Sequence, residues 1–374
     1  MSAPSLSTPI RWGILGAGAI ATRFARDLAH VPGATLAAVY ARRPEAAQAL
    51  AVAHTAQAVS TPDALFTAGV DAIYIATLPD THHHFARAAL EAGLPVLCEK
   101  PVTRSLPELD DLLALATARN LLFMEAMKTP FLPLYRALRN HLVSPEGEGS
   151  IGPISFVQAG NASAYTPPDH PSWSTELAGG ALMAIGVYQA FLAVDWLGPA
   201  TETQALSQPS PLENHAVLST EAERRGTTTV SASSATSSIA VPSQVDAFTL
   251  IQSRHHHGFS QLYAGLELAS PGTATLSGRH GFATVHKPWW NPSRATIIPL
   301  SGPPIDLNLP VLGDGLHYET AHFCDLLRAG HRESPIVSHA HSRAVMHLLD
   351  QARAATHLHF PGEPFPPAPS AQAT

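Results

Sequence analysis

The stretch "IRWGILGAGAIATRFA" (Ile10–Ala25) decides the reading of this chain. Ile10 to Leu15 is a short apolar run of the kind that forms a buried strand. Gly16, Gly18 and Ala21 then fall as G-x-G-x-x-A, and a helical pattern follows from Ala19 to Val31. Each small residue has a physical job at such a junction. Gly16 allows the tight turn, Gly18 lets a pyrophosphate approach the backbone, and Ala21 permits close helix packing. The helix start, with Ala19 and Ile20, offers unpaired N–H groups and a positive dipole end. In this strand–turn–helix setting, Gly16, Gly18, Ala19 and Ile20 are expected to bind a dinucleotide.

Working outward, strands are expected at Ala34–Tyr40, Asp71–Thr77, Pro95–Lys100 and Leu121–Ala126, with helical patterns between them. That alternation predicts an α/β, doubly wound parallel sheet of Rossmann type over residues 1–129. Beyond Pro130 the chain reads differently. Short alternating runs such as "ISFVQAG", "QLYAGLELAS" and "ATIIPL" predict an α+β domain with a largely antiparallel open sheet over 130–360. Within it, 206–243 is polar and rich in Ser, Thr and Pro, although "TTTVSAS" alternates well enough for an edge strand. The proline-rich end, 361–374, is expected to be a disordered tail.

Composition narrows the function classes. The chain has 374 residues, which favours two domains. A net charge of −7 argues against nucleic acid or an anionic membrane as partner. The most apolar stretch, Gly179–Val194, is glycine-interrupted and shorter than the roughly 20 residues that span a bilayer. Two cysteines suit a reducing compartment, and "MSAPSLSTPIRW" lacks a signal-peptide pattern, so a soluble cytoplasmic protein is expected.

The end of the second predicted strand bears on the choice of nicotinamide cofactor. It reads Tyr40-Ala41-Arg42-Arg43, with no acid before Glu45. A carboxylate would repel a 2′-phosphate, whereas a guanidinium can clamp one, so Arg42 and Arg43 favour NADP over NAD. "CEKPVTRS" places Glu99 and Lys100 at a strand's carboxyl end, and Pro101 restricts the backbone just after the lysine.

These segments together resemble the Gfo/Idh/MocA-type oxidoreductases, and within them the dimeric dihydrodiol dehydrogenase and NADP-dependent sugar (D-xylose) dehydrogenase branch. The resemblance runs through "GAGAIATRFA", "IATLPDTHHHFARAALEAGLPVLCEKP", "FMEAMKTPFLP", "GGALMAIGVY", "LSGRHGFATVHKPWWNP" and "LHYETAHFCDLLRAGHRESP". It implies that Lys100 is catalytic and contacts the nicotinamide ribose and substrate. It implies that Thr77, Leu78 and His82 line the cofactor, with Glu99 beside the nicotinamide. It further implies a homo-oligomer, dimer or tetramer, formed through the second domain's sheet. The family's helix motif ends on Tyr188, but its aspartate falls on Ala184 and its first glycine on Ala178.

The chemistry that these residues allow is reversible oxidation of a sugar or cyclic diol hydroxyl. Tyr188 would act as the acid/base, with the Lys100 ammonium lowering its pKa. Ala184, one helical turn earlier, would share a face with Tyr188 and can neither bind a hydroxyl nor orient the phenol. Two other readings stand beside this one: a degenerate NADP-binding sensor or regulatory protein, and an NAD-dependent glycosidase on the same fold. The 21 histidines, including "HHH" at His82–His84 and His255–His257, lack metal-ligand spacing, so no metal is expected. His317, which opens a late helix, is expected to have no partner.

Overall fold

The computed structural model describes residues 9–143, 151–209 and 245–363. The first sheet is built from β1 (Ile10–Leu15), β2 (Ala34–Tyr40), β3 (Gln57–Val59), β4 (Ala72–Ile75), β5 (Val96–Glu99) and β6 (Phe123–Ala126). Its order is β3-β2-β1-β4-β5-β6, and every pair is parallel. Strands β4, β5 and β6 are buried on both faces, which is why they read as unbroken apolar runs. Helices α1 (Ala19–Asp27), α2 (Pro44–Ala53), α3 (Pro62–Phe66), α4 (His82–Glu91) and α5 (Leu106–Arg119) connect them. The strand order reverses between β1 and β4, and a sheet of this kind takes its ligand at the carboxyl side of that switch point.

α6 (Pro133–Leu142) leads into the second sheet, whose order is β14-β13-β12-β11-β7-β10-β9-β8. Its strands are β7 (Ile154–Ala162), β8 (Ala200–Pro209), β9 (Asp246–His255), β10 (Gly258–Gly265), β11 (Ala274–Gly278), β12 (Gly281–Val285), β13 (Arg294–Pro299) and β14 (Ile305–Asn308). Only β7 and β10 pair in parallel; the rest are antiparallel. One face buries Val157, Ala159, Ile251, Leu262, Leu276 and Ile297, while Leu206, Leu250, Phe259 and Phe282 are exposed. The sequence "LMAIG" forms a π-helical turn, Leu182–Gly186, which runs into α7 (Val187–Leu197). The polar segment 206–243 therefore begins as the last four residues of β8. Its remainder, with "TTTVSAS", lies outside the described residues.

The chain then returns to the first sheet. α8 (Leu316–Ala329) packs on α1, and α9 (His339–Thr356) packs on α5 and α7. Asp27, buried at the end of α1, accepts the N–H groups of Asp314 (3.0 Å) and Leu316 (2.8 Å) and so caps α8 from outside. Trp12, Phe24, Tyr74 and Phe323 stack into one aromatic core. The centroids of Phe24 and Tyr74 are 3.7 Å apart, and those of Trp12 and Phe323 5.2 Å. This core ties β1, α1, β4 and α8 together. Of the expected tail, Pro361, Gly362 and Glu363 are described; Glu363 pairs with Arg353 of α9, and 364–374 lie outside the described residues.

Candidate active site

The glycine turn has the shape a dinucleotide needs. Gly16 sits at φ +106°, and a Cβ there would lie 2.4 Å from the Ala76 carbonyl oxygen, so only glycine fits. Its N–H donates to the Tyr40 carbonyl at 2.8 Å, which draws the ends of β1 and β2 together. A Cβ on Gly18 would meet nothing within 4 Å, leaving the approach to the α1 start open. No side chain caps α1, and no acid stands in its first turn, so Ala19 and Ile20 present their N–H groups toward that space. These features fit the phosphates of a dinucleotide. Arg42 and Arg43 are exposed immediately after β2, and the Arg42 charge acts on Asp80 in the loop after β4.

Loop residues at the ends of β4 and β5 are locked to one another. His82 is buried, with Nδ1 2.9 Å from the Pro101 carbonyl and Nε2 3.3 Å from that of Thr77. Burial lowers its pKa, and a neutral ring donates from one nitrogen only, so the shorter contact is the donated bond. His82 thus ties the start of α4 to the segment that follows Lys100. Glu125 of β6 adds a second tie. It accepts the Val102 N–H at 3.3 Å and the Ser342 hydroxyl at 2.7 Å, joining this segment to α9.

Lys100 and Tyr188 do meet. Lys100 Nζ donates to the Ala184 carbonyl at 3.1 Å and lies 4.6 Å from the centroid of the Tyr188 ring. Glu99 accepts the Tyr74 hydroxyl at 2.5 Å and the Lys100 N–H at 3.2 Å, so the aromatic core orients the carboxylate beside the lysine. Burial pushes the Lys100 ammonium down and the Glu99 carboxyl up.

Two expectations need correction. The pKa of Tyr188 is raised, not lowered: burial dominates, and Glu99 and Glu319 add to it. The ammonium lies over the ring, 4.6 Å from its centroid. Ala184 is also not one α-helical turn before Tyr188, because Leu182–Gly186 is a wider π-turn. Its backbone oxygen, with no help from its methyl group, is what contacts the lysine.

Sequence reasoning missed two charged neighbours. Glu319 of α8 is fully buried, and neither carboxylate oxygen has a hydrogen-bond partner among the described residues. Burial and the Glu99 charge raise its pKa. The available signal was an acid on the apolar stripe that Leu316, Thr320 and Phe323 define. Lys128, two residues past β6, donates to the Asp314 carbonyl at 2.8 Å and is depressed by burial while Glu319 opposes that shift. His317 does have a neighbour, since its Nδ1 is 3.6 Å from Asp27. Among the described residues, no group of three or more His, Cys, Asp or Glu is placed to hold a metal ion, and no helix is long and apolar enough to cross a membrane.

Comparison with known proteins agrees with this architecture. Residues 10–127 match the model of the GFO_IDH_MocA family, an oxidoreductase family with an NAD-binding Rossmann fold. The chain is 28% identical over 365 residues to human trans-1,2-dihydrobenzene-1,2-diol dehydrogenase, covering 94% of this chain and 98% of that protein. It is 27% identical over 369 residues to scyllo-inositol 2-dehydrogenase (NADP(+)) of Bacillus subtilis strain 168, covering 95% and 99%. A 3-ketoreductase from Actinomadura kijaniata, solved with NADP and TDP-benzene, superimposes with a TM-score of 0.76 at 24% identity, covering 93% and 98%.

Proposed function

We infer, from the match of residues 10–127 to the Gfo/Idh/MocA oxidoreductase family model, that the protein is an NADP-dependent dehydrogenase acting on a CH–OH group of a sugar or cyclic diol. The observation that carries this reading is the meeting of Lys100 with Tyr188 and the Ala184 carbonyl, at the carboxyl edge of the first sheet. The nicotinamide, when bound, supplies the acceptor or donor of hydride. Gly16, Gly18, Ala19 and Ile20 would hold the pyrophosphate, and Arg42 with Arg43 the 2′-phosphate. Thr77, Leu78 and His82 shape the wall of the cofactor cleft, while Glu99 fixes Lys100.

The protein's own task is to move one proton at the substrate oxygen. Burial keeps the Tyr188 phenol protonated, which suits it to donate to a carbonyl as that oxygen gains charge. Lys100, anchored at Ala184, puts positive charge against the same ring and favours the phenolate that forms. In the oxidative direction the reverse applies: the phenol first releases its own proton to solvent, and the phenolate then takes the proton of the substrate hydroxyl. Ala184 leaves this wall neutral, so the substrate is one that does not require a carboxylate there. The exposed outer face of the second sheet, with Leu250, Phe259 and Phe282, is the surface we assign to homo-oligomer formation.

The test is NADP reduction against a panel of trans-dihydrodiols, inositols, pentoses and hexoses. Turnover of at least one class is expected. Tight NADP binding without turnover would instead favour a sensor. Sugar release from a glycoside without net reduction would favour the glycosidase. Ala184→Asp is expected to shift the preference toward polyhydroxylated sugars, read as a rise in their kcat/KM relative to dihydrodiols.

A further inference from the structure

The helix that presents Tyr188 is held at its start by a carboxylate from the second sheet. Asp246, the first residue of β9, is 3% exposed. Its Oδ2 accepts the Leu182 N–H at 2.8 Å and the Thr249 hydroxyl at 2.5 Å. Its Oδ1 has no hydrogen-bond partner among the described residues and packs on Gly180. Gly180 has φ +103°, and a Cβ there would lie 2.0 Å from that oxygen, so the contact requires glycine.

Leu182 is also the first residue of the π-turn, and Ala184, whose carbonyl takes the Lys100 ammonium, sits at the turn's centre. A π-turn closes its rings one residue later than an α-helix, which displaces its carbonyls from the ordinary ladder. Asp246 and Lys100 therefore grip the same five residues, one through an N–H and the other through a C=O. A third contact, from Gln189 Nε2 to the Tyr263 carbonyl at 2.9 Å, fixes the following α-helical turn to β10. The turn is held on the sheet side and the lysine side at once, and Tyr188 follows it directly.

We propose that Asp246 is a positioning residue for the dehydrogenase reaction: it sets the wide turn that offers the Ala184 carbonyl to Lys100 and aims Tyr188 at the substrate. The proposal rests on the oxidoreductase reading above, and it concerns placement, since Asp246 touches neither Lys100 nor Tyr188. Misplacing reacting groups by about 1 Å can cost on the order of 10²-fold in rate. Loss of the carboxylate should therefore appear in kcat while the cofactor site, on the other sheet, is spared.

Two readouts test this, one of which needs no turnover. Asp246→Ala is expected to lower kcat by about 10- to 100-fold, with the Kd for NADP within about threefold of wild type by calorimetry. Asp246→Asn, which keeps an acceptor oxygen for Leu182, is expected to recover kcat to within about threefold of wild type. Independently, Lys100 should react faster with pyridoxal phosphate (trapped by borohydride and mapped by mass spectrometry) in the alanine variant than in wild type or the asparagine variant. Unchanged kcat and unchanged labelling in Asp246→Ala would overturn the proposal, however far its melting temperature falls. So would an asparagine variant as impaired as the alanine one. If the alanine variant does not fold, Asp246→Glu takes its place, because its longer side chain reaches Leu182 only by shifting the turn; wild-type values in it would overturn the proposal. If the wild-type protein oxidises nothing, the dehydrogenase reading fails, and the labelling comparison alone decides whether Asp246 places Lys100.

Discussion

Lys100 touches the Tyr188 helix twice, through the Ala184 oxygen and across the phenol ring, and on the proposed reading this pair of contacts governs the chemistry at the scale of single residues. Burial raises the Tyr188 pKa above the ordinary tyrosine range. An acid whose pKa is raised stays protonated to higher pH, so carbonyl reduction should show no loss from Tyr188 ionisation up to at least about pH 10. A pH–rate profile with a basic limb near 8, absent from Tyr188→Phe, would contradict this. Tyr188→Phe itself should lower kcat by about 10²- to 10⁴-fold, with little change in NADP affinity. Lys100 was legible in the sequence because a Lys-Pro at a strand end has few structural reasons to be there. Glu319 was not, since its proximity to Glu99 exists only once α8 has folded back onto the first sheet, and Lys128 comes near Glu99 only through the pairing of β6 with β5.

At the scale of elements, Glu125 shows how strand, loop and helix are joined. Its carboxyl holds Val102 and Ser342, and burial raises its pKa to about 7. A folded-state pKa above the unfolded value of about 4.5 means that the native state binds the extra proton between those values. Its contribution is therefore fully present below about pH 4.5 and is lost as pH rises toward 7. Glu125→Gln mimics the protonated form, so its stability relative to wild type should increase between pH 5 and 7.5, by on the order of 2 kcal/mol. Urea denaturation of both proteins at several pH values checks this, and a constant difference would refute it. The strands β1, β2, β4, β5 and β6 were readable as apolar runs, but β3, three partly exposed residues, carries no pattern. The π-turn was equally hidden. "GGALMAIGVYQAFLAV" is apolar all round and reads as helix, whereas the width of its first turn coincides with a contact to Asp246, 64 residues further on.

For the whole molecule, the returning chain is held to the first domain by Asp27 at the end of α1, which caps the start of α8. Composition and alternation were enough to foresee two sheets of different kinds, because parallel and antiparallel strands bury different numbers of faces. They did not reveal that residues after Leu309 return to the first sheet, since that contact is made by Asp27 and Arg328, ordinary residues in sequence. Arg328 NH2 donates to the Gly33 carbonyl at 2.8 Å. On the reading proposed above, in which Arg42 clamps the 2′-phosphate, Arg42→Ala should weaken NADP by about tenfold or more while leaving NAD nearly unchanged, measured by calorimetry. The most direct test of the central claim compares wild type with Lys100→Met at saturating NADP, following reduced nicotinamide in a single turnover with the best substrate of the panel. The account predicts that both proteins bind NADP with similar affinity and that hydride transfer in the variant is slower by at least about 10²-fold. Equal rates in the two proteins would contradict it.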